Sequence, residues 1–331
     1  MSKTKSKKKK LFFGALILLL VILLLSSTLL LLYNWDKKQG LFSEHEEVFG
    51  TTVTVDGVDY VLKENIQSIL VLGLDKFEET IDNSSYYNDQ QADFLMLFVL
   101  DNDAKTYSAI HINRDTMSKI NVLGVAGEKI DTVDGQLALA HAYGNGQKVS
   151  CRNTADAVSH VLNGINIERY ISVTMDAVPV VTDLVGGVEV EVKDDFSGID
   201  DSLVMGEVVT LDKYNALTFV RTRQGMEDST NTARMERQQQ YLSSLFDTFT
   251  AKAKAEDDFI VNASLKLSDY MVSNYTVNQL ENIVESITEY EFKNIFEIEG
   301  ESIVGEKFME FYPDKESVDK IVLDLFYVPA K

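Results

Sequence analysis

Cysteine, proline and positive charge are all scarce in this chain of 331 residues. The single cysteine, Cys151, excludes an internal disulfide, so packing has to stabilise the fold. Three prolines and the lack of a Ser/Gly/Pro-rich tract argue against long linkers and low-complexity segments. The hydrophobic fraction of 45% is enough for a full core, which excludes a disordered chain.

Positive charge is concentrated at the N-terminus. Six of the 31 basic residues lie within the first ten positions, and the first acidic residue is Asp36. After residue 10 the chain carries 25 basic and 52 acidic groups, a balance of −27. We expect no nucleic acid partner, because binding a polyphosphate backbone requires an excess of lysine and arginine. An anionic ligand would need a local cluster of arginines.

Residues 11–33 form an uncharged, apolar stretch directly after the basic tail of residues 1–10. About 22 apolar residues are enough to cross about 30 Å of hydrocarbon as a helix. The stretch predicts one transmembrane helix, and the lysines on one side predict a cytoplasmic N-terminus and an extracellular remainder. A cleaved signal peptide is the alternative, but its apolar core is normally about 7–15 residues long and ends at a small-residue cleavage site.

The rest of the chain alternates strand-like apolar runs with helical patterns. We predict an α/β fold with a mixed central sheet flanked by helices in α-β-α layers, behind the N-terminal transmembrane helix. Asp56-Gly57 predicts a hairpin within a juxtamembrane segment, residues 34–64, and residues 65–331 form the main domain. The predicted strands include 68–75, 93–100 and 106–112; the predicted helices include 135–143, 154–164 with a Thr154 cap, 211–220, 232–253, 276–287 and 317–327.

Charged side chains mark the ends of the predicted strands. Asp75 ends the first buried run and Asp93 opens the second. Arg114 and Asp115 follow the third run. If the three runs are neighbouring strands, these groups converge at one end of a sheet, where such folds commonly build binding sites. The alternative is that they are solvated turn residues that cap the strands.

A second polar cluster lies between residues 221 and 238. Arg221 and Arg223 point the same way if their stretch is extended, by the period of two. Arg234, Arg237 and Gln238 share one face near the start of a predicted helix, where the dipole favours anions. Four arginines are able to bind a phosphate or diphosphate through bidentate forks. The alternative is ordinary surface pairing with neighbouring acids: Glu227, Asp228 and Glu236.

Six blocks in order resemble the LytR-CpsA-Psr family of mainly Gram-positive bacteria. They run from about Ile69 to Asp247 behind the predicted membrane helix, and the tail "GEKFMEFYPDKESVDKIVLDLFY" also resembles the family's ending. The six blocks are "SILVLGLD", "ADFLMLFVLD", "INRDTMSKI", "DAVPVVTDLVGGVEVEV", "LDKYNALTFVRTR" and "ARMERQQQYLSSLFD".

The resemblance implies a membrane-anchored extracellular phosphotransferase. Members take a glycopolymer, such as teichoic acid or capsular polysaccharide, from a polyprenyl diphosphate carrier and link it by a phosphodiester to peptidoglycan. By resemblance, Asp75 and Asp93 would hold Mg²⁺, a hard ion that takes carboxylates and phosphate oxygens. Asp115 would orient Arg114. The diphosphate ligands implied are Arg114, Arg221, Arg223, Arg234, Arg237 and Gln238, and the catalytic residues are Arg114, Asp115, Arg221 and Arg223.

The sequence also departs from the family pattern. Phe77, Gln91 and Ser118 stand where members often have arginine, and Asn113 replaces a common proline. Because losing an arginine that touches a transferring phosphate costs orders of magnitude in rate, two functions stay open. One is an active phosphotransferase. The other is a member that binds polyprenyl diphosphate or wall polymer without efficient turnover, as a scaffold or regulator of envelope assembly.

Overall fold

The computed structural model describes residues 50–75, 90–222, 231–256, 258–305 and 308–330. The predicted basic tail and transmembrane helix lie outside these ranges, as do Phe77 and Arg223. Among the residues that are described, no helix is long and apolar enough to cross a membrane.

The described chain forms strands and helices in alternation, as the sequence predicts. The strands are β1 Thr52–Val55, β2 Val58–Leu62, β3 Ile66–Leu74, β4 Ala92–Asp101, β5 Thr106–Ile112, β6 Met117–Leu123, β7 Lys129–Gln136, β8 Arg169–Thr174, β9 Val188–Glu191, β10 Val208–Leu211, β11 Met271–Ser273, β12 Glu291–Glu297, β13 Gly300–Val304, β14 Met309–Pro313 and β15 Tyr327–Pro329. The α-helices are α1 Leu137–Ala140, α2 Lys148–Val161, α3 Ala177–Val185, α4 Ala216–Arg221, α5 Asn231–Ala255, α6 Phe259–Leu267, α7 Val277–Glu289 and α8 Lys315–Phe326.

A six-stranded mixed sheet forms the centre of the fold, in the order β11-β8-β3-β4-β5-β12. Strand β4 is antiparallel to β3 and β5, whereas β8 is parallel to β3 and β12 is parallel to β5. Strands β3, β5, β8 and β12 therefore end at the edge of the sheet where β4 begins. We call this edge the site edge.

Helices cover both faces of the sheet, which confirms the predicted mixed α/β fold. Alternate side chains of β3, such as Leu70 and Leu72, pack with Val158 of α2 and Val322 of α8 on one face. The intervening side chains belong to the other face, where Ile69 packs in a cluster with Phe246 of α5 and Ile283 of α7. Because both faces are covered, residues 69–74 of β3 and 94–100 of β4 are continuously apolar rather than alternating, as strands buried on two sides are.

A second core lies between the β9–β10 hairpin and helices α3 to α6. Its buried side chains include Val190, Phe196, Phe219 and Tyr241. Strand β8, helix α3 and strand β9 follow one another along the chain, and the glycines Gly186 and Gly187 separate α3 from β9. Gly186 and Gly187 have positive φ angles of 85° and 110°, which turn the chain sharply from α3 into β9.

The hairpin predicted around Asp56-Gly57 is present as β1 and β2. Both turn residues have positive φ angles, 51° and 78°, as a two-residue hairpin turn of this hand requires. Strand β2 also pairs with β15, so the segment before the main sheet is joined to the C-terminal end of the described chain. The predicted domain boundary between residues 64 and 65 stays a prediction.

Two sequence predictions need correction, and one hairpin was missed. Helix α2 begins at Lys148, six residues before the predicted Thr154 cap, and the Thr154 hydroxyl donates within the helix to the Ser150 carbonyl at 2.9 Å. The helix predicted over 211–220 begins only at Ala216, because the Asp212 carboxylate accepts the N–H of Tyr214 and holds a turn. The β6–β7 hairpin was not predicted, since its alternating pattern is weak.

We expect Gly187→Ala to destabilise the fold by about 2–4 kcal/mol, since it combines a strained φ with overpacking. A Cβ at position 187 would lie 2.7 Å from Thr210 Cγ2. Gly198 is the matched control, because its φ is also positive at 77° but no atom lies within 4 Å of its Cβ position. Urea unfolding should show a cost of about 1 kcal/mol for Gly198→Ala. Equal losses in the two variants would contradict the steric argument.

Candidate functional site

Four of the predicted site residues lie together at the site edge. Asp75 follows the last residue of β3, and Asp93 is the second residue of β4. Arg114 and Asp115 follow the end of β5. Since β3 and β5 both flank β4, their ends bring these side chains to neighbouring positions, as the sequence predicts.

The Asp93 carboxylate is buried between two arginines. Its Oδ1 pairs with Nη1 of Arg114, and its Oδ2 lies 3.6 Å from Nη1 of Arg234. Arg234 also donates from Nη2 to the Asp93 carbonyl at 3.2 Å. Asp93 is 8% exposed and Arg234 is 2% exposed, so solvent screens these charges little. The two guanidinium groups are therefore held in place around one buried carboxylate.

Arg114 is oriented by two further side chains. Its Nη2 donates to Gln91 Oε1 at 2.6 Å, and its Nε lies 3.5 Å from Asp115 Oδ1. The same Asp115 oxygen accepts a hydrogen bond of 3.0 Å from Gln136 Nε2. The geometry is that of an arginine held by a carboxylate, which agrees with the orienting role that the resemblance implies for Asp115.

Arg221 and Asp75 form the solvent-accessible part of the site. Arg221 Nη2 lies 3.2 Å from Asp75 Oδ1, and their side chains are 48% and 44% exposed. Arg221 is the last residue of α4, so the extended conformation in which Arg221 and Arg223 would point the same way is not present at Arg221. The buried Phe219 and Val220 pack as part of this helix in the second core. Arg223 lies outside the described residues.

Arg237 and Gln238 face the end of α4 instead of the solvent. Arg237 donates from Nε to the Phe219 carbonyl at 2.9 Å, from Nη2 to the Thr222 carbonyl, and from Nη1 to Asp194 Oδ2 at 2.5 Å. Gln238 donates to the Val220 carbonyl at 3.3 Å. These bonds satisfy carbonyls that the end of a helix leaves open. In this structure the two residues position Arg221, while their predicted contact with a diphosphate stays a prediction.

A buried histidine lies beside the arginines. The Nδ1 of His111 is 3.0 Å from Gln239 Nε2, which also donates to Glu297 Oε1 at the end of β12. Burial, reinforced by the positive charge of Arg234, lowers the pKa of His111 to about 3. His111 is therefore neutral at physiological pH, and its Nδ1 is able to accept the Gln239 hydrogen bond.

The donor chemistry of Asp75 and Asp93 suits Mg²⁺. Each is a carboxylate at the site edge, and a carboxylate bonded to arginine keeps further lone pairs for another ligand. Mg²⁺ needs only one or two protein carboxylates when phosphate oxygens and water complete its octahedron. No group of three or more His, Cys, Asp or Glu side chains in the described part of the chain is arranged to hold a metal.

Sequence reasoning missed Gln91, Gln136, Gln239 and Asp194 as site or supporting residues. Gln91 lies only two residues before Asp93, so its position beside Arg114 could have been predicted from the pairing of β4 with β5. Gln136 contacts Asp115, which is 21 positions away, and Asp194 contacts Arg237, which is 43 positions away. No local sequence pattern predicts such contacts.

The fold and the site define an α/β protein with paired arginines and carboxylates at one edge of its central sheet, and comparison with known proteins identifies its family. The family model described as the LytR_cpsA_psr family matches residues 35–325. The chain belongs to the LytR-CpsA-Psr family, which confirms the resemblance seen in the sequence.

Individual relatives agree with this assignment. The chain is 25% identical over 272 residues to the polyisoprenyl-teichoic acid–peptidoglycan teichoic acid transferase TagV of Bacillus subtilis. That match covers 78% of this chain and 64% of TagV, so the chain spans less than two thirds of that relative. The crystal structure of TagV is similar with a TM-score of 0.59 and 22% identity, covering 80% of this chain and 97% of that one.

Two further crystal structures share the fold. Protein gbs0355 of Streptococcus agalactiae has a TM-score of 0.64 and 17% identity, covering 79% of this chain and 86% of its own. TagT bound to LI-WTA has a TM-score of 0.59 and 19% identity, covering 79% of this chain and 90% of its own. At these identities the likeness shows the shared fold.

We expect Arg237→Lys to lower the free energy of unfolding by about 2–4 kcal/mol, because one ammonium cannot reach two buried carbonyls and Asp194 together. Arg221→Lys is the matched control, since that arginine is half-exposed and its single ion pair is worth less than about 1 kcal/mol. Urea unfolding measures both values. Similar losses in the two variants would mean that Arg237 does not anchor α4.

His111 should make the protein less stable in acid. Its folded pKa of about 3 lies below its ordinary value of 6.5, so below pH 6.5 the unfolded chain binds a proton that the folded chain does not. The free energy of unfolding therefore decreases as the pH is lowered below 6.5, and His111 contributes roughly 1 kcal/mol per pH unit to this decrease. His111→Asn keeps an acceptor for Gln239 and should reduce that slope between pH 6 and pH 5 in urea titrations. An unchanged slope would show that folded His111 titrates normally.

Proposed function

We propose that this protein is a membrane-anchored extracellular phosphotransferase that moves a glycopolymer of the teichoic acid or capsule type from polyprenyl diphosphate to peptidoglycan. One observation carries the proposal: three arginines from separate elements meet two carboxylates at one edge of the sheet. Arg221 faces solvent with Asp75, while Arg114 and Arg234 lie behind them around Asp93.

The diphosphate binds first at the exposed pair. Arg221 is half-exposed and offers its planar fork, whereas Arg114 and Arg234 hold fixed guanidinium groups around the buried Asp93 carboxylate. Fixed donors in a water-poor site stabilise developing negative charge without reorganising during the reaction. Phosphoryl transfer needs mainly this positioning and charge, and little covalent chemistry from the protein.

The transfer breaks one P–O bond and forms another. The hydroxyl oxygen of a peptidoglycan sugar attacks the phosphorus that bears the glycopolymer. The bond from that phosphorus to the bridging oxygen breaks, and polyprenyl monophosphate leaves. The hydroxyl proton passes to a nearby carboxylate.

Mg²⁺ would be held by Asp75 and Asp93, and when bound it would neutralise diphosphate charge. Arg114 and Arg234 would then keep the Asp93 carboxylate in place. Asp115, steadied by the Gln136 hydrogen bond, would keep Arg114 from rotating away from the substrate.

The relatives support the substrate class and the sequence supports the location. TagV is named for teichoic acid transfer to peptidoglycan, and TagT has been crystallised with LI-WTA. The apolar stretch at residues 11–33 would keep the enzyme in the cell membrane as a single-pass protein with a cytoplasmic N-terminus. The lipid carrier would then lie in the same bilayer as the enzyme.

A second candidate function is binding of the lipid diphosphate or wall polymer without efficient turnover. Gln91, which stands where members often have arginine, accepts a hydrogen bond from Arg114 and so occupies a donor that phosphate would otherwise use. Ser118, at another such position, is buried and donates to the Ala157 carbonyl at 2.8 Å. Both observations favour weaker anion binding than a full set of arginines gives.

Turnover is tested with the full chain in detergent micelles, a short-chain polyprenyl diphosphate and Mg²⁺, by following release of the lipid monophosphate. Arg221→Ala should lower the rate by about 100-fold or more, since it removes a fork from the reacting diphosphate. Lys213→Ala is the matched control, because Lys213 forms an ion pair of 3.5 Å with Asp183 and is equally exposed, at 46%. Its rate should equal that of the unaltered protein.

Other outcomes separate the two functions. Saturable binding of the diphosphate without turnover, weakened by Arg221→Ala, would favour the second candidate. Neither turnover nor binding would overturn the assignment of a polyprenyl diphosphate ligand.

A further inference from the structure

The end of α4, which carries Arg221, is held by two side chains of α5. Gln238 Nε2 donates to the Val220 carbonyl at 3.3 Å, and Arg237 Nη2 donates to the Thr222 carbonyl. The carbonyls on both sides of Arg221 are therefore bonded to the neighbouring helix. As a result, the position of the Arg221 backbone depends on where the Arg237 side chain lies.

The same bonds change the charge that a diphosphate would meet at the end of α4. The last carbonyls of a helix have no partner within the helix and carry partial negative charge. Arg237 donates to two of them, from Nε to the Phe219 carbonyl at 2.9 Å and from Nη2 to the Thr222 carbonyl. Bonded in this way, these oxygens repel an anion beside Arg221 less than open carbonyls would.

Asp194 holds the Arg237 guanidinium in this position. Asp194 Oδ2 accepts a hydrogen bond of 2.5 Å from Arg237 Nη1, and the Arg237 side chain is only 5% exposed. In the described part of the chain Asp194 is the one acidic partner of Arg237. Without Asp194 the guanidinium would be a buried charge with no counterion, and such a charge is strongly destabilising. Loss of the carboxylate therefore favours a rotation of Arg237 away from the end of α4.

The backbone on both sides of Asp194 is fixed in the second core. Val192 and Phe196, two residues away in each direction, are fully buried. The Val192 N–H donates to the Glu207 carbonyl at 2.9 Å, and the Val192 carbonyl accepts the Gly206 N–H at 2.7 Å. A carboxylate on such a backbone loses little further conformational entropy when it binds a guanidinium.

We propose that Asp194 is a positioning residue for the diphosphate, and that it acts through Arg237 to keep Arg221 beside Asp75 at the site edge. The proposal rests on the proposed function, in which Arg221 is the exposed diphosphate ligand. Arg221 Nη2 lies 3.2 Å from Asp75 Oδ1, and this placement requires that the end of α4 stays where Arg237 holds it. Asp194 contributes to diphosphate affinity without touching the diphosphate.

A double-mutant cycle on binding tests this role. The dissociation constant of a short-chain polyprenyl diphosphate with Mg²⁺ is measured for the full chain in detergent micelles, at a temperature where every variant is folded. Asp194→Asn should weaken binding by about three- to tenfold and Arg221→Ala by about tenfold or more, since hydrogen bonds to a charged ligand are lost. When position 221 is already alanine, Asp194→Asn should have little further effect, because residues that act through one another are not additive.

Asp195→Asn is the matched control. Asp195 is the adjacent aspartate, is exposed, and bonds only the N–H and hydroxyl of Ser197, at 2.9 Å and 2.5 Å. Its variant should bind the diphosphate as the unaltered protein does. Equal changes in the two variants would overturn the proposal, because loss of a negative charge alone would then explain them. Additive effects with Arg221→Ala would also overturn it, as would tighter binding by Asp194→Asn.

Amide hydrogen exchange separates this proposal from the proposed function. The Thr222 N–H donates to the Thr218 carbonyl at 3.1 Å at the end of α4. Measured without ligand, this amide should lose protection in Asp194→Asn and keep it in Asp195→Asn, because the end of α4 opens more often when Arg237 is released. Lost protection in a protein that does not bind the diphosphate would contradict the proposed function alone. Unchanged protection would overturn the positioning role of Asp194.

Discussion

The buried ion pairs of Asp93 are the interaction on which both the fold and the site depend. They join a central strand, the turn after the next strand and the long helix α5 across the sheet. Charges so far from water are tolerated only when they are paired, and removal of one partner typically costs about 3–5 kcal/mol. Asp115 is a second carboxylate beside Arg114, so the two buried arginines are balanced by two acidic side chains.

The arginines have different structural roles because they differ in burial. Arg237 donates its hydrogen bonds to carbonyls at the end of α4 and to Asp194. The ring centroid of Phe196 lies 5.7 Å from the Arg237 Cζ atom. The half-exposed Arg221 at that same helix end is therefore presented to solvent by a buried neighbour. Of the four arginines that look equivalent in the sequence, Arg237 supports the end of α4, whereas Arg221 and Arg234 lie with Asp75 and Asp93 at the site edge.

Polar side chains of glutamine link the layers around this charge. Gln91 and Gln136 contact Arg114 and Asp115, and Gln239 connects neutral His111 to Glu297. An amide both donates and accepts without adding charge, so it completes the hydrogen bonds of buried ions at little electrostatic cost. Such neutral partners fix the charged side chains without changing the local balance of charge.

The sequence by itself determined the α/β class, the three central strands and the convergence of Asp75, Asp93, Arg114 and Asp115, because apolar runs and strand ends are local signals. It also determined the family, through blocks that keep their order. The tertiary structure decided three features that local sequence patterns do not show. Arg221 ends a helix, α2 starts before Thr154, and Arg237 and Gln238 turn inward. Those outcomes depend on packing in the second core and on bonds between residues far apart in the chain, and such long-range contacts leave no periodic trace in the sequence.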